Sequence, residues 1–232
     1  MGREDVIEIT VGWLLMSVVF GLALLYILNL PVTTSIYLGM IISGITVVGH
    51  ELAHLFTAKS ICHVERSEFI LTTFAIEVTT ASIVLLLILI LLKKLYGLET
   101  WFLPILASPG AVYVDALRTR KCGDEIAIAG PLYNFIVGII GLMTLLSFTK
   151  PPFILNHNNF GISVLTLTTY FSFALAWFNS LPLKIDGIAL DGYHAMTIDP
   201  SDKFSKVATI VILAVSTYVV FLSKWWVVMV HA

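Results

Sequence analysis

Six stretches of the chain, at about 9–30, 36–59, 75–92, 126–148, 161–181 and 206–231, are apolar almost without interruption. A helix needs about 20 such residues to cross the hydrocarbon of a bilayer, and a water-soluble fold has no use for six of them. Composition settles whether water could still solvate the exterior. The 232 residues are 58% hydrophobic and only 12% charged, whereas soluble domains carry about a quarter charged residues. A soluble enzyme and a disordered chain are therefore excluded. A net charge of −2 leaves no basic field for phosphate backbones, so no nucleic-acid partner is expected. The expected fold is an all-α polytopic membrane protein with about six transmembrane helices, forming a single integral-membrane domain over 1–232 with the lipid bilayer as its surroundings.

Between the third and fourth spans lies the segment 101–114, WFLPILASPGAVYV, which is apolar but short and broken by Pro104 and Pro109-Gly110. A short re-entrant or extended segment is expected there. The N-terminal MGREDVIEIT is acidic and offers no small-residue cleavage site, so 9–30 is expected to be a retained span. Cys62 and Cys122 stand far apart in the sequence, and neither a disulfide framework nor a CxxC site is indicated.

The second stretch contains GHELAHLF, in which His50, Glu51 and His54 form H-E-x-x-H. At i and i+4 two imidazoles share one helical face and can bind one tetrahedral zinc. Glu51, turned about 100° from His50, sits beside such a metal, placed to take a proton from water. The count expected by chance from this composition is about 0.005. Three ionisable groups inside an apolar span need a cation, or each other, to offset their burial. A hydrogen-bonded polar cluster without metal is the alternative. A catalytic zinc also needs a third protein ligand and an open position. Candidates lie in FNSLPLKIDGIALDGYHAM, which contains Asp186, Asp191 and His194. Each Asp precedes a glycine, and Asp-Gly is also a common turn dipeptide.

Four features together resemble the site-2 protease family of intramembrane zinc metalloproteases, prokaryotic or archaeal type. They are HELAH on an apolar helix, PGAVYV (Pro109 to Val114), AGPLYN (Ala129 to Asn134) and the NSLP…LDG stretch from Asn179 to Gly192. Their order and separation match over most of the chain. The resemblance implies one Zn2+ per chain held by His50, His54 and Asp191, with Glu51 as general base. It implies cleavage of transmembrane protein substrates within the membrane. The sequence departs from the family pattern at one place. Asp191 lies nine residues after Pro182, further than the pattern sets it, and Asp186 lies four after, closer than it. Asp191 is preferred because the family's Leu before and Gly after are kept. Gly130-Pro131 is expected to start a helix close to its neighbours, and Asn134 and Asn179 either to donate hydrogen bonds near the site or, the favoured reading, to bond to interrupted backbone.

A shared metal requires the end of span 36–59 and the end of span 161–181 to face the same side. The chain between them must then cross an even number of times before 126, which makes 75–92 and 101–116 a hairpin or re-entrant pair. Nine Lys and Arg fall on the side of the site and three opposite, which by the positive-inside rule makes that side cytosolic. The rival class is a multi-pass metal-ion transporter or channel using the same intramembrane His, Glu and Asp.

Overall fold

The first helix, α1 (Arg3–Leu28), ends where Asn29 adopts a left-handed φ of 52° and donates its N–H to the Leu25 carbonyl. Asn is one of the few residues that caps a helix this way. Pro31, with φ of −54°, then leads directly into α2 (Val32–Ser43), since proline is pre-set for a helix start. The computed structural model describes residues 3–64, 67–70, 73–97, 111–114, 122–151, 153–154, 160–185, 188–199, 201–223 and 226–227. After α2 the helical path continues to Ile61 through a π turn (Gly44–Val48), α3 (Gly49–Phe56) and a second π turn (Thr57–Ile61). There follow β1 (Ser67–Ile70), α4 (Thr73–Tyr96), β2 (Ala111–Val114), α5 (Gly123–Phe148), β3 (Phe153–Ile154) and α6 (Phe160–Asn179). The chain closes with β4 (Lys184–Ile185), β5 (Ile188–Ala189), α7 (Asp191–Thr197), α8 (Lys203–Thr217) with a π turn to Leu222, and β6 (Trp226–Val227).

Among the described residues, six helices are long and apolar enough to cross a membrane: Val6–Ile27, Val32–Ile61, Ile76–Tyr96, Gly123–Phe148, Gly161–Asn179 and Lys203–Leu222. The expected all-α polytopic fold is borne out, and β2 is extended as expected between the third and fourth spans. The rest of 98–121 lies outside the described residues, and with it the distinction between a hairpin and a re-entrant segment. The sixth span is shorter than the expected 206–231. It stops at Leu222 because Ser223 turns extended (ψ 136°) and its hydroxyl donates back to the Val219 carbonyl. Trp226 and Val227, good strand formers, then pair in parallel with Phe153 and Ile154.

The chain divides into two compact units, 1–48 with 69–111 and 228–232, and 49–68 with 112–227. In the first, α1 and α2 approach closely enough that a Cβ on Gly39 would strike the backbone of Ser17 and Gly21. Small residues permit such crossings, which is how helices associate where lipid offers no hydrophobic drive. The Ser17 and Ser43 hydroxyls meet at 3.0 Å, and Trp13 Nε1 donates to the Met40 carbonyl at 2.9 Å. Val19, Ala23 and Leu86 form the apolar contact with α4.

In the second unit α5 is central. Ala127 and Ile128 pack with Ala176, Ala195 and Ile212, and further along Leu142 and Leu145 pack with Phe173 and Val219. Polarity runs opposite to that of a soluble protein. Ile140, Met143, Val207 and Ile210 are exposed, while Asn134, Ser172, Ser205 and Thr209 are fully buried. Pro131 lies well inside α5 rather than in its first turn, because the helix begins earlier than expected, at Gly123. There it cannot donate to the Ala127 carbonyl one turn back.

Candidate metal centre

Helix α3 buries His50, Glu51, His54 and Leu55 and exposes Leu52 and Phe56. The spacing i, i+1, i+4, i+5 is one broad side of a helix, so both imidazoles and the Glu51 carboxyl lie on its buried side. The segment is flanked by the two π turns, local insertions that recur at functional sites. The imidazoles meet edge to face, with centroids 4.8 Å apart at 76°.

Asp191 arrives from a different part of the chain. Lys184 pairs with Ala189 and Ile185 with Ile188 in an antiparallel hairpin, leaving only Asp186 and Gly187 to join the arms. The Leu190 N–H then donates to the Leu183 carbonyl at 3.0 Å, closing the excursion where it began. The surplus residues after Pro182 are thus folded out of the path, and Asp191 opens α7 as though they were absent. Asp186, the competing carboxylate, lies outside the described residues. Gly192 settles the approach, for a Cβ there would run into the carbonyls of Ser180 and Leu181. This is the structural reason for glycine after Asp191. His194, one turn on, is exposed and stacks edge to face on Tyr193 at 5.9 Å.

Among the described residues, His50, His54 and Asp191 form a group placed to hold a metal ion. His50 Nε2 lies 3.1 Å from His54 Nε2 and 3.2 Å from Asp191 Oδ2, and His54 Nε2 lies 3.3 Å from the same oxygen. A tetrahedral ion with bonds of about 2.0–2.1 Å separates its ligand atoms by about 3.3–3.4 Å, so this triangle has the dimensions of one face of such a site. Space is provided as well. A Cβ on Gly130 would overlap the Nε2 atoms of both histidines, so α5 presents bare backbone where a side chain would fill the cradle. A Cβ at Gly49 would likewise strike the ring of Tyr133. The Gly130 of AGPLYN therefore gives room to the imidazoles, beyond the helix-packing role expected of it. Burial alone pushes the Asp191 carboxyl upward in pKa, but the imidazoles, His54 above all, hold it below the usual carboxylate range. It remains the anionic donor that a divalent ion favours.

The atoms behind the triangle were less visible in the sequence. His54 Nδ1 lies 2.6 Å from the Ile126 carbonyl. A carbonyl only accepts, so Nδ1 carries a proton, and Nε2 is the atom turned to the triangle, able to act as a ligand in its deprotonated form. Asn134, expected to bond to backbone, has its Nδ2 placed 3.0 Å from His50 Nδ1, and Asn179 Nδ2 is 3.5 Å from His50 Nε2. Both asparagines face the candidate ligand His50. Asp124 accepts the Asp199 N–H with both carboxylate oxygens, at 3.1 and 3.0 Å, tying the end of α7 to the start of α5.

The cysteine expectation is overturned. Cys62 and Cys122 are joined by a disulfide, with Cα atoms 6.0 Å apart. Composition and spacing carry no signal for a bridge that spans 60 positions and depends on two helix ends meeting. Cys62 closes the helical path from α3, and Cys122 is the residue before α5. The bridge sits beside the apolar contact of Ala58, Val64 and Ile126, next to the carbonyl that fixes His54.

Comparison with protein-family models, with curated proteins and with solved structures finds no match.

Proposed function

We propose that this protein is an intramembrane zinc metalloendopeptidase that hydrolyses peptide bonds within transmembrane segments of membrane-protein substrates. One observation carries the reading. A 3.1–3.3 Å triangle joins two buried imidazole nitrogens on a membrane-length helix to an oxygen of the partly buried Asp191 carboxylate, and Glu51 is buried on the same helix. Two His and one carboxylate are the donor set of a catalytic zinc that keeps a fourth position open. Zinc held there supplies an acidified water, with pKa about 7, and a polarised substrate carbonyl.

The chain's own residues do the rest. Glu51 accepts a proton as water attacks the carbonyl carbon, and delivers it to the leaving amine as the C–N bond breaks. Asn179 donates through its Nδ2 to the carbonyl oxygen as negative charge develops there. The apolar walls of the second unit keep these charges in a low dielectric, where fixed dipoles act strongly. A substrate carbonyl inside a helix is already hydrogen-bonded, so the scissile segment must unwind before it can be attacked. Substrates with Gly or Pro near the cleaved bond are accordingly favoured, since these residues weaken helices most. The excess of Lys and Arg on the side of the site supports a cytosol-facing active site.

The test is cleavage of a model transmembrane substrate by the purified protein in detergent or liposomes. Cleavage should stop with a zinc chelator and return with added zinc. Absence of cleavage together with metal-ion flux into proteoliposomes would make the protein a transporter instead.

A further inference from the structure

Asn134 is fully buried on α5, one turn beyond Gly130, with its amide against His50. The two imidazoles of the triangle are held unequally. His54 has an unambiguous acceptor behind it, the Ile126 carbonyl at 2.6 Å from Nδ1, so its tautomer is set. His50 also has a backbone partner, at Gly130, and behind its Nδ1 stands the Asn134 side chain at 3.0 Å, an amide that can present either an oxygen or a nitrogen there. With nitrogen toward the ring, Nδ1 must accept and Nε2 must carry the proton. That proton would then occupy the direction of His54 Nε2 and Asp191 Oδ2, and the ring could not act as a ligand through Nε2. In the same orientation Asn134 Oδ1 is buried with no hydrogen-bond partner among the described residues, so nothing on that side fixes which end of the amide faces the ring. The oxygen and nitrogen of an amide have nearly the same shape, so their assignment follows from the network around them.

We infer that Asn134 is a positioning residue of the metal centre: its Oδ1 accepts the proton of His50 Nδ1, which frees Nε2 for the metal. The inference rests on the metal-binding part of the function proposed above and goes beyond it. Turned this way, the side chain does for His50 what the Ile126 carbonyl does for His54. Both acceptors lie on α5, eight residues apart on either side of Gly130, whose missing Cβ gives the two rings their space. One helix thus sets the tautomer of both imidazoles, which are carried by another. Acceptors of this kind raise the basicity of a ligating imidazole and fix its plane, and their loss typically weakens metal binding by about 10–100-fold.

A packing role and a positioning role make opposite demands on substitutions. Asn134→Leu keeps the volume and removes the acceptor, and Asn134→Asp keeps the acceptor and adds charge. Zinc affinity, measured on the purified full-length protein by competition with a chromophoric chelator, should fall about 10–100-fold in Asn134→Leu. In Asn134→Asp it should equal or exceed that of the parent. In both the parent and the Asp variant, nitrogen NMR of the metal-free protein should already show His50 protonated at Nδ1, whereas an amide nitrogen facing the ring would leave Nδ1 bare. Parent-like zinc affinity in a folded Asn134→Leu overturns the inference. So does weakened affinity in Asn134→Asp, which would mark the site as one that only tolerates a neutral side chain. Should the Leu variant fail to fold, the Asp variant and the His50 tautomer decide alone, since only an acceptor at this position predicts both. A parent that takes up no zinc removes the metal centre itself, a failure visible before any variant is compared.

Discussion

Glu51 and Gly130 contribute to the site in opposite ways, one through a carboxyl group and the other through the lack of a side chain. Glu51→Gln keeps the shape of the buried face and the three candidate ligands. It should bind zinc like the parent yet cleave a model substrate about 10²–10⁴-fold more slowly, the usual cost of losing a general base. A parent-like cleavage rate would remove Glu51 from the chemistry. Gly130→Ala should do the reverse, because its Cβ would overlap the Nε2 atoms of His50 and His54. Metal affinity is expected to fall by about 10–100-fold, as when the surroundings of a ligand are disturbed, with the helical content unchanged by circular dichroism. Full zinc occupancy in that variant would show that the cradle is wider than the glycine suggests. At this scale the sequence was legible wherever a side chain announces its chemistry. His50, Glu51 and His54 stand out because charge in an apolar span is costly. The Ile126 carbonyl and the space over Gly130 were hidden because neither is written in a side chain.

The hairpin of β4 and β5 is the element on which the third ligand depends. Its pairing of Lys184 with Ala189 and Ile185 with Ile188 explains why Asp191 lies nine residues past Pro182 yet reaches the histidines at 3.2–3.3 Å. Asp191→Asn should reduce bound zinc sharply, since it replaces the anionic donor of the triangle with a poor ligand. Asp186→Asn should leave zinc content near that of the parent. Elemental analysis of both purified variants checks this, and zinc loss confined to Asp186→Asn would transfer the ligand role. The sequence contained a hairpin signal in Ile-Asp-Gly-Ile, where Asp-Gly separates two strand-forming residues. The count along the chain gave no measure of distance in space, so only the fold could show that the ends meet.

For the molecule as a whole, hydrophobic runs disclosed the class and nearly every span, since a bilayer permits so few solutions. They disclosed less where the constraint was not apolarity. The last span ended early at Ser223, and the disulfide left no trace in composition. That bridge closes a loop across 60 positions, and chain-entropy reasoning gives it a contribution of up to about 4 kcal/mol. A chain threaded through a bilayer is already restricted when denatured, so Cys62→Ser with Cys122→Ser should cost somewhat less. The midpoint of thermal unfolding in detergent should drop by several degrees, and an unchanged midpoint would deny the bridge a structural part. The bridge also bears on orientation. The proposed orientation would put it toward the cytosol, where disulfides are rare. Single cysteines at Lys150 and Lys203, in a background lacking Cys62 and Cys122, should react with an impermeant reagent from opposite faces of sealed vesicles. Lys203 is expected on the cytosolic face. Labelling of both from one face would break the proposed path of α5 and α6.

The hairpin ahead of Asp191 also makes a parity rule. Antiparallel arms alternate their side chains with a period of two, and the chain leaves the hairpin beside the point where it entered. Residues added in matched pairs, one to each arm, lengthen the protrusion and return Asp191 to the same place with the same facing. A single residue added to one arm slips the register and turns the rest of that arm toward the other face. The stretch between Pro182 and Asp191 therefore tolerates growth in even steps, and offers a place where a peptide tag can be carried without moving the carboxylate.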